Sequence, residues 1–314
     1  MPTVEVIRRF QRMNTEVDAI VCVPHERRAA GAIALQQVED IFRLAESTIS
    51  RFRPDSDLSR LNESAGRPFR ASPVLFQVVS LSLEMARLTN GLFDPTILKS
   101  LIACGYDRSF EKLDSSGDSV SLPSRHSAFT WRDVVLDHED STIFLPHGCG
   151  IDLGGIGKGW AVDRAHGLLR RFPSFAIDAG GDIRVEGTQA NGLPWTVGVS
   201  DPFDAGHDLT LLELTTGAVC TSTTLRRRWQ VSGSCQHHLI DPRTGKPSAS
   251  DVVSATVTAA SAVLAEVLAK ASLILGSEAG TRLIAGQEDV EGLLVLENGR
   301  LLTSSALKEY QSVA

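Results

Sequence analysis

The sequence has no excess of positive charge, no long apolar run and no paired cysteine motif. Its 31 Lys and Arg residues are outnumbered by 38 Asp and Glu residues, which gives a formal net charge of −7. A chain of this charge does not attract nucleic-acid phosphates non-specifically. No uninterrupted apolar stretch reaches the roughly 18 residues of a membrane-spanning helix. We therefore expect neither nucleic acid nor a membrane as a partner.

The cysteines are odd in number and scattered, at Cys22, Cys104, Cys149, Cys220 and Cys235. Since no two are spaced as Cys-x-x-Cys, the pattern favours reduced thiols over a disulfide framework or a zinc knuckle. The N-terminal segment MPTVEVIRRFQRMN is charged and amphipathic and lacks the apolar centre of a secretory signal. These features predict a cytoplasmic protein.

The composition is that of a folded mixed protein, with 42% hydrophobic and 22% charged residues in a chain of 314. No repeat, low-complexity tract or linker divides the chain, so we expect one domain over residues 1–314. Residues 111–127, rich in Ser, Asp and Gly, are predicted to form a surface loop or hairpin.

Apolar spacing and capping residues predict helices over residues 28–48, 72–90, 160–171 and 261–276. Short β-prone runs predict strands at residues 19–23, 175–178, 183–186, 196–199, 209–215, 254–259 and 293–296. Helices and strands do not alternate regularly. The pattern therefore favours an α+β fold over a doubly wound parallel sheet.

The densest chemical motif is Ile-Asp-Leu-Gly-Gly-Ile-Gly-Lys-Gly at residues 151–159. Glycines let backbone N–H groups approach an anion, and both Lys158 and a helix N-terminus add positive charge. The motif is not a Walker A loop, because Gly159 stands where Ser or Thr is required, and its glycine spacing does not fit a dinucleotide fingerprint. It predicts either a phosphate-binding turn or a glycine-rich turn before a structural helix.

Three further motifs are weaker. Ala-Gly-Gly-Asp-Ile at residues 179–183 predicts a tight turn, and Gly-Leu-Phe-Asp-Pro-Thr at 91–96 is typical of a helix exit with an Asx turn. Residues 237–247, His-His-Leu-Ile-Asp-Pro-Arg-Thr-Gly-Lys-Pro, contain another turn. There His238 is either a general base that works near neutral pH or a structural histidine.

In this order along the chain, the motifs resemble the FAD:protein FMN transferase family, the ApbE-like proteins. The resemblance begins at Met13-Asn14-Thr15 and continues through residues 52–62, 91–96, 151–163, 179–183, 221–222, 238–245 and 265–276. It implies a single α+β domain of the T-fold type with a mixed, largely antiparallel sheet and packed helices. It further implies that FAD is cleaved at its pyrophosphate with the help of Mg²⁺. FMN is then joined through phosphate to a Thr or Ser of a target flavoprotein, and AMP is released.

The resemblance also implies roles for individual residues. His238 matches the family's proposed base, and Phe52 stands where the family usually has a flavin-binding Tyr. The other matches to flavin-binding positions are Met13, Leu92, Phe93, Asp94, Asp152, Lys158 and Ile240. At the metal site the resemblance implies the backbone carbonyl of Gly155 and the carboxylate of Glu266, which replaces an Asp.

Lys270 departs from the family pattern, which has Thr at this metal-site position. An ammonium group only donates hydrogen bonds and cannot ligate Mg²⁺. One interpretation is an i,i+4 ion pair between Glu266 and Lys270 on a solvated helix face. In the other, the Lys270 ammonium occupies the metal position and pairs with Glu266 and the FAD pyrophosphate.

The departure leaves two functions open: an Mg²⁺-dependent FMN transferase, and an FAD-binding homologue in which transfer is lost or changed. A flavin-dependent redox enzyme is a third class, for which the sequence offers no decisive residue. The family's target motif is similar to Asp-x-x-Ser/Thr-Gly-Ala-Thr/Ser. The nearest stretch here, residues 216–219, ends in Val219, so we expect no flavin attachment to the chain itself.

Overall fold

The computed structural model describes residues 3–112, 128–204, 206–231 and 233–310. The α-helices are α1 Arg28–Ile49, α2 Asp57–Glu63, α3 Pro73–Leu88, α4 Leu98–Ala103, α5 Gly157–Leu169, α6 Ala262–Leu275 and α7 Ser277–Ala285. The strands are β1 Thr3–Arg12, β2 Thr15–Pro24, β3 Pro68–Arg70, β4 Val135–Asp137, β5 Thr142–Phe144, β6 Phe175–Ala179, β7 Asp182–Glu186, β8 Trp195–Ser200, β9 Asp208–Leu214, β10 Thr216–Thr223, β11 Arg228–Val231, β12 Ser234–His237, β13 Ile240–Asp241, β14 Lys246–Pro247, β15 Val252–Ala259, β16 Glu291–Leu296 and β17 Leu301–Thr303.

The centre of the molecule is an eight-stranded sheet in the order β1–β2–β6–β7–β10–β15–β16–β17. Neighbouring strands in it all run antiparallel. All eight residues of β15 are buried, because this strand is covered on both faces of the sheet. The expected α+β fold with a largely antiparallel sheet and packed helices is confirmed.

Each face of the sheet has its own cover. Helices α1, α5 and α6 pack on one face and bury a large core that includes Phe42 and Phe175. The β8–β9 hairpin packs on the other face, where Leu212 belongs to the same buried cluster as Val185 and Val219. Burial of both faces fits the continuous apolar run at residues 293–296 of β16.

Two tight hairpin turns meet at one end of the sheet. Met13 and Asn14 join β1 to β2 with φ angles of 54° and 55°, and Gly180 and Gly181 join β6 to β7 with φ angles of 65° and 91°. Positive φ at both central positions is the geometry that suits the twist of a two-residue hairpin. A Cβ on Gly180 would lie 1.9 Å from Oγ1 of Thr15, so only glycine allows the two turns to pack together.

The predicted helices and strands are present with shifts of a few residues at their ends; α5, for example, spans Gly157–Leu169 rather than about residues 160–171. The loop predicted for residues 111–127 lies, from residue 113 onward, outside the described residues. In the described ranges, no helix combines the length and the apolar character needed to cross a bilayer.

Candidate functional site

A cavity of about 960 Å³ opens at the end of the sheet where the two hairpin turns meet. Its volume is within the range of small-molecule and cofactor sites. All residues that the sequence assigned to the site line this cavity: Met13, Phe52, Leu92, Phe93, Asp94, Asp152, Gly155, Lys158, His238, Ile240, Glu266 and Lys270. The fold thus brings them together, while their individual roles stay predictions.

The glycine-rich turn leads directly into α5. Several of its backbone N–H groups already donate within the chain, those of Gly154, Ile156, Gly157 and Gly159. The N–H of Gly159 donates to Oε2 of Glu266 at 2.9 Å, so a carboxylate of the protein itself caps the start of α5. The positive charge available to a ligand therefore comes mainly from side chains rather than from the start of α5.

Two lysines and two carboxylates form a charge cluster in the cavity wall. Oε1 of Glu266 accepts a hydrogen bond from Nζ of Lys270 at 2.9 Å and lies 4.0 Å from Nζ of Lys158. Lys158 also forms an ion pair with Asp182. For the Ala-Gly-Gly-Asp-Ile motif that contains Asp182, the sequence predicts only a tight turn. The four formal charges of the cluster balance.

Burial has opposite consequences for the two kinds of group in this cluster. It raises the pKa of Glu266, and the neighbouring Lys270 counteracts this only in part. Burial alone would lower the pKa of Lys158, but the carboxylates of Asp182 and Glu266 outweigh it and raise that pKa. Lys158 therefore stays protonated across the physiological range.

The Glu266–Lys270 pair is not on a solvated face, so that interpretation of the sequence is wrong. Helix α6 packs against the sheet and α5, and the side chains of Glu266 and Lys270 are only 2% and 15% exposed. A Cβ built on Gly155 would lie 3.5 Å from Cε of Lys270. The lysine side chain thus lies against the glycine whose carbonyl was expected to bind a metal ion.

The residues at this position do not fit Mg²⁺. The ion requires about six oxygen ligands at about 2.1 Å, whereas both oxygens of Glu266 already accept hydrogen bonds from Lys270 and Gly159. An ammonium next to the carboxylate would repel a divalent cation. In the part of the chain that the structure describes, no three His, Cys, Asp or Glu side chains are grouped to hold a metal.

His238 lies between β12 and β13, partly buried in the cavity wall. Its Nδ1 is buried and has no hydrogen-bond partner among the described residues. Burial, with the positive charges of Arg227 and Lys270 nearby, lowers the pKa of His238 to about 3. The imidazole is therefore neutral in the free protein, with one nitrogen that has no partner among the described residues.

The neighbouring His237 has a structural role instead. Its Nε2 lies 3.0 Å from the carbonyl oxygen of Ser248, and its Nδ1 lies 3.3 Å from the backbone nitrogen of Leu239. These contacts fix the turn that follows β12. Of the two adjacent histidines, His238 is the one that presents an unpaired nitrogen.

Arg51 is a cavity residue that the sequence analysis missed. Its Nε lies 2.7 Å from Oδ2 of Asp152, and its guanidinium lies 4.1 Å from the ring centroid of Phe52 and 4.7 Å from that of Tyr106. The side chain of Arg51 is only 6% exposed. The arrangement makes one wall of the cavity aromatic and cationic. No local sequence signal links Arg51 to Asp152, since their contact is formed only by the fold.

Asp94 holds the loop on which it lies. Its Oδ1 accepts hydrogen bonds from the backbone nitrogen and Oγ1 of Thr96 at 2.8 and 2.7 Å, and its Oδ2 accepts one from the backbone of Trp131 at 3.1 Å. The first of these bonds is the Asx turn predicted at this motif. Burial raises the pKa of Asp94, and the three hydrogen bonds counteract this. The carboxylate thus shapes the cavity wall beside Phe93.

Comparison with known proteins identifies the family. The sequence model of the ApbE family matches residues 13–294. The chain belongs to the ApbE family. Proteins named FAD:protein FMN transferase from Treponema pallidum and Vibrio cholerae are 28% and 26% identical to it, over alignments of 325 and 280 residues. These alignments cover 96% and 88% of this chain, and 88% and 81% of the respective relatives.

Solved structures of the family share the fold. The ApbE protein of Thermotoga maritima superposes with a TM-score of 0.86 at 25% identity, over 99% of this chain and 100% of that one. The flavin transferase ApbE of Vibrio cholerae gives a TM-score of 0.83 at 25% identity, over 98% of this chain and 100% of that one. The family and the fold expected from the motifs are confirmed, and the expected enzyme class, a transferase, is that of the named relatives.

Proposed function

We propose that this ApbE-family protein is a flavin transferase. FAD binds in the cavity, FMN is joined through its phosphate to a Thr or Ser of a target flavoprotein, and AMP is released. The observation that carries the proposal is the meeting of two partly buried lysines, an unpaired imidazole nitrogen and an aromatic wall in one cavity. Relatives named FAD:protein FMN transferase support the same chemistry.

His238 and the two lysines have separate roles in the proposed phosphoryl transfer. The target hydroxyl oxygen attacks the FMN phosphorus, the bond from that phosphorus to the bridging oxygen breaks, and AMP leaves with the electron pair. The hydroxyl proton passes to the imidazole of His238. Lys158 and Lys270 offset the negative charge of the phosphates, which is the main task of a protein in this reaction class.

The aromatic and apolar residues hold the flavin ring. The rings of Phe52 and Tyr106 are tilted by 56° to one another, with the Arg51 guanidinium close to both, and offer aromatic surface against which a conjugated ring can pack. Met13, Leu92 and Ile240 provide apolar contacts elsewhere in the cavity. Asp94 and Asp152 act through the loops and the arginine that they hold.

A second candidate function is an FAD-binding homologue without transfer activity. The observation in its favour is Lys270, since one ammonium offsets less charge than a divalent ion and offers no Lewis-acid geometry. In either case we propose that residues 1–314 act as one flavin-binding domain. Its location in the cytoplasm stays a prediction from the N-terminal sequence.

The test combines the purified protein, FAD and an acceptor protein that carries an Asp-x-x-Thr-Gly-Ala-Thr segment. Equimolar AMP and flavin-labelled acceptor, measured by chromatography and by fluorescence in a denaturing gel, would support transfer. Retained FAD without AMP would support the second candidate, and no affinity for FAD would refute both. In the variant His238→Gln we expect FAD binding to persist and transfer to be lost.

A further inference from the structure

We infer that Lys270 supplies the positive charge that a metal ion would otherwise supply, so that the cavity binds the phosphates of FAD without a divalent cation. The inference rests on the proposed function because it takes FAD as the ligand. It concerns a different property, the independence of binding from metal ions. It can therefore fail while the proposed function stands.

The contacts of Lys270 leave it able to bind a phosphate. An ammonium has three N–H donors, and Lys270 uses one of them on Oε1 of Glu266 at 2.9 Å. Its contact with the backbone oxygen of Glu266 is long, at 3.5 Å. The side chain lines the cavity next to Gly155. Lys270 thus has N–H donors left for a phosphate at the place where the glycine-rich turn borders the cavity.

The surrounding charges favour a phosphate over a cation. Asp182 and Glu266 are already matched by Lys158 and Lys270, so the cluster has no spare negative charge to attract a divalent ion. Both oxygens of Glu266 are engaged. A pyrophosphate between the two lysines would instead add negative charge beside two fixed ammonium groups, a favourable arrangement at low dielectric.

Affinity for FAD, measured by flavin fluorescence or calorimetry, tests the inference directly. We expect the wild-type protein to bind FAD equally well in EDTA and in Mg²⁺. The variant Lys270→Met should bind FAD and ADP about tenfold to a hundredfold more weakly, the loss expected for one charged hydrogen bond. Its affinity for riboflavin, which has no phosphate, should not change.

Lys99→Met is the matched control, because Lys99 is an exposed lysine on neighbouring α4 that does not line the cavity. It should leave the affinity for FAD unchanged. Two results would overturn the inference. One is FAD binding by the wild-type protein only in the presence of Mg²⁺, and the other is full FAD affinity in a folded Lys270→Met protein. Absence of FAD binding under every condition would overturn the proposed function as well.

Discussion

The buried Glu266–Lys270 pair leads to a sharp prediction about stability. Glu266→Gln keeps an acceptor for the backbone of Gly159 but leaves the Lys270 ammonium without its carboxylate partner at 2.9 Å. Removing one member of a buried ion pair leaves an uncompensated charge and costs about 3 to 5 kcal/mol. We therefore expect Glu266→Gln to lower the free energy of unfolding by an amount in this range.

The reverse change should cost less, because the carboxylate keeps other partners. In Lys270→Met, Glu266 retains the Gly159 N–H and has Lys158 at 4.0 Å. We expect a loss of about 2 to 3 kcal/mol, at the low end for a broken buried pair. The double variant removes both charges, so its loss should fall short of the sum of the single losses by about 1 to 3 kcal/mol.

Equilibrium unfolding in urea, followed by circular dichroism in the presence of EDTA, measures all of these losses. The ion pair of Arg282 and Glu278 on α7 provides a matched control, since it has the same i,i+4 spacing but side chains 66% and 85% exposed. Glu278→Gln and Arg282→Met should each change the free energy of unfolding by only about 0.3 kcal/mol. Additive losses for Glu266→Gln and Lys270→Met would refute the reasoning, because they would mean that the two charges do not interact.

Three other changes test the described geometry. Gly159→Ala places a Cβ 2.8 Å from Oε2 of Glu266 and should destabilise the protein by about 1 to 3 kcal/mol. In Gly167→Ala, on the same helix, the new Cβ meets nothing within 4 Å and should stabilise the protein. Melting temperatures that change in the same direction for both variants would contradict this. His238, with its pKa lowered from 6.5 to about 3, binds fewer protons in the folded state. Wild-type stability should therefore fall relative to His238→Gln by up to about 1.4 kcal/mol per pH unit from pH 6.5 toward pH 4, and a constant difference across urea titrations would count against burial of the neutral ring. Asp94→Ala leaves backbone N–H groups without an acceptor and should cost about 2 to 4 kcal/mol in urea unfolding, more than Asp94→Asn; equal losses would contradict a role in holding the loop.

Local chemistry explains which elements were predictable from the sequence. Ser72 caps α3 through a hydrogen bond from the backbone nitrogen of Leu75, as its position before Pro73 and an apolar run predicted, and Ser261 caps α6 in the same way through Leu264. Strand β1 was missed because Arg8 interrupts its apolar alternation. That side chain turns toward α1, where it pairs with Glu39. Periodicity cannot distinguish a partly buried charge, whose partner is distant in sequence, from one that faces solvent.

The same limit applies to the site. Its motifs were visible because each is a short run that folds into its own turn, such as the glycine turn before α5. The partners that set the charge of these motifs were not visible. Asp182 pairs with Lys158, and Arg51 pairs with Asp152, through contacts between segments that are distant in sequence. The chemistry of the motifs was therefore predictable, and the balance of charge around them was not.

The charge balance around Lys270 affects both phosphate binding and proton transfer in the proposed reaction. Positive charge from Arg227 and Lys270 adds to burial in lowering the pKa of His238, so the imidazole is a weak base in the free protein. The same Lys270 would attract the phosphates of FAD. Phosphates bound beside it would offset its charge and so remove part of the lowering, while burial, the largest cause, would remain. We therefore expect the pKa of His238 to be higher with FAD bound than in the free protein, because Lys270 would act on both the base and the substrate.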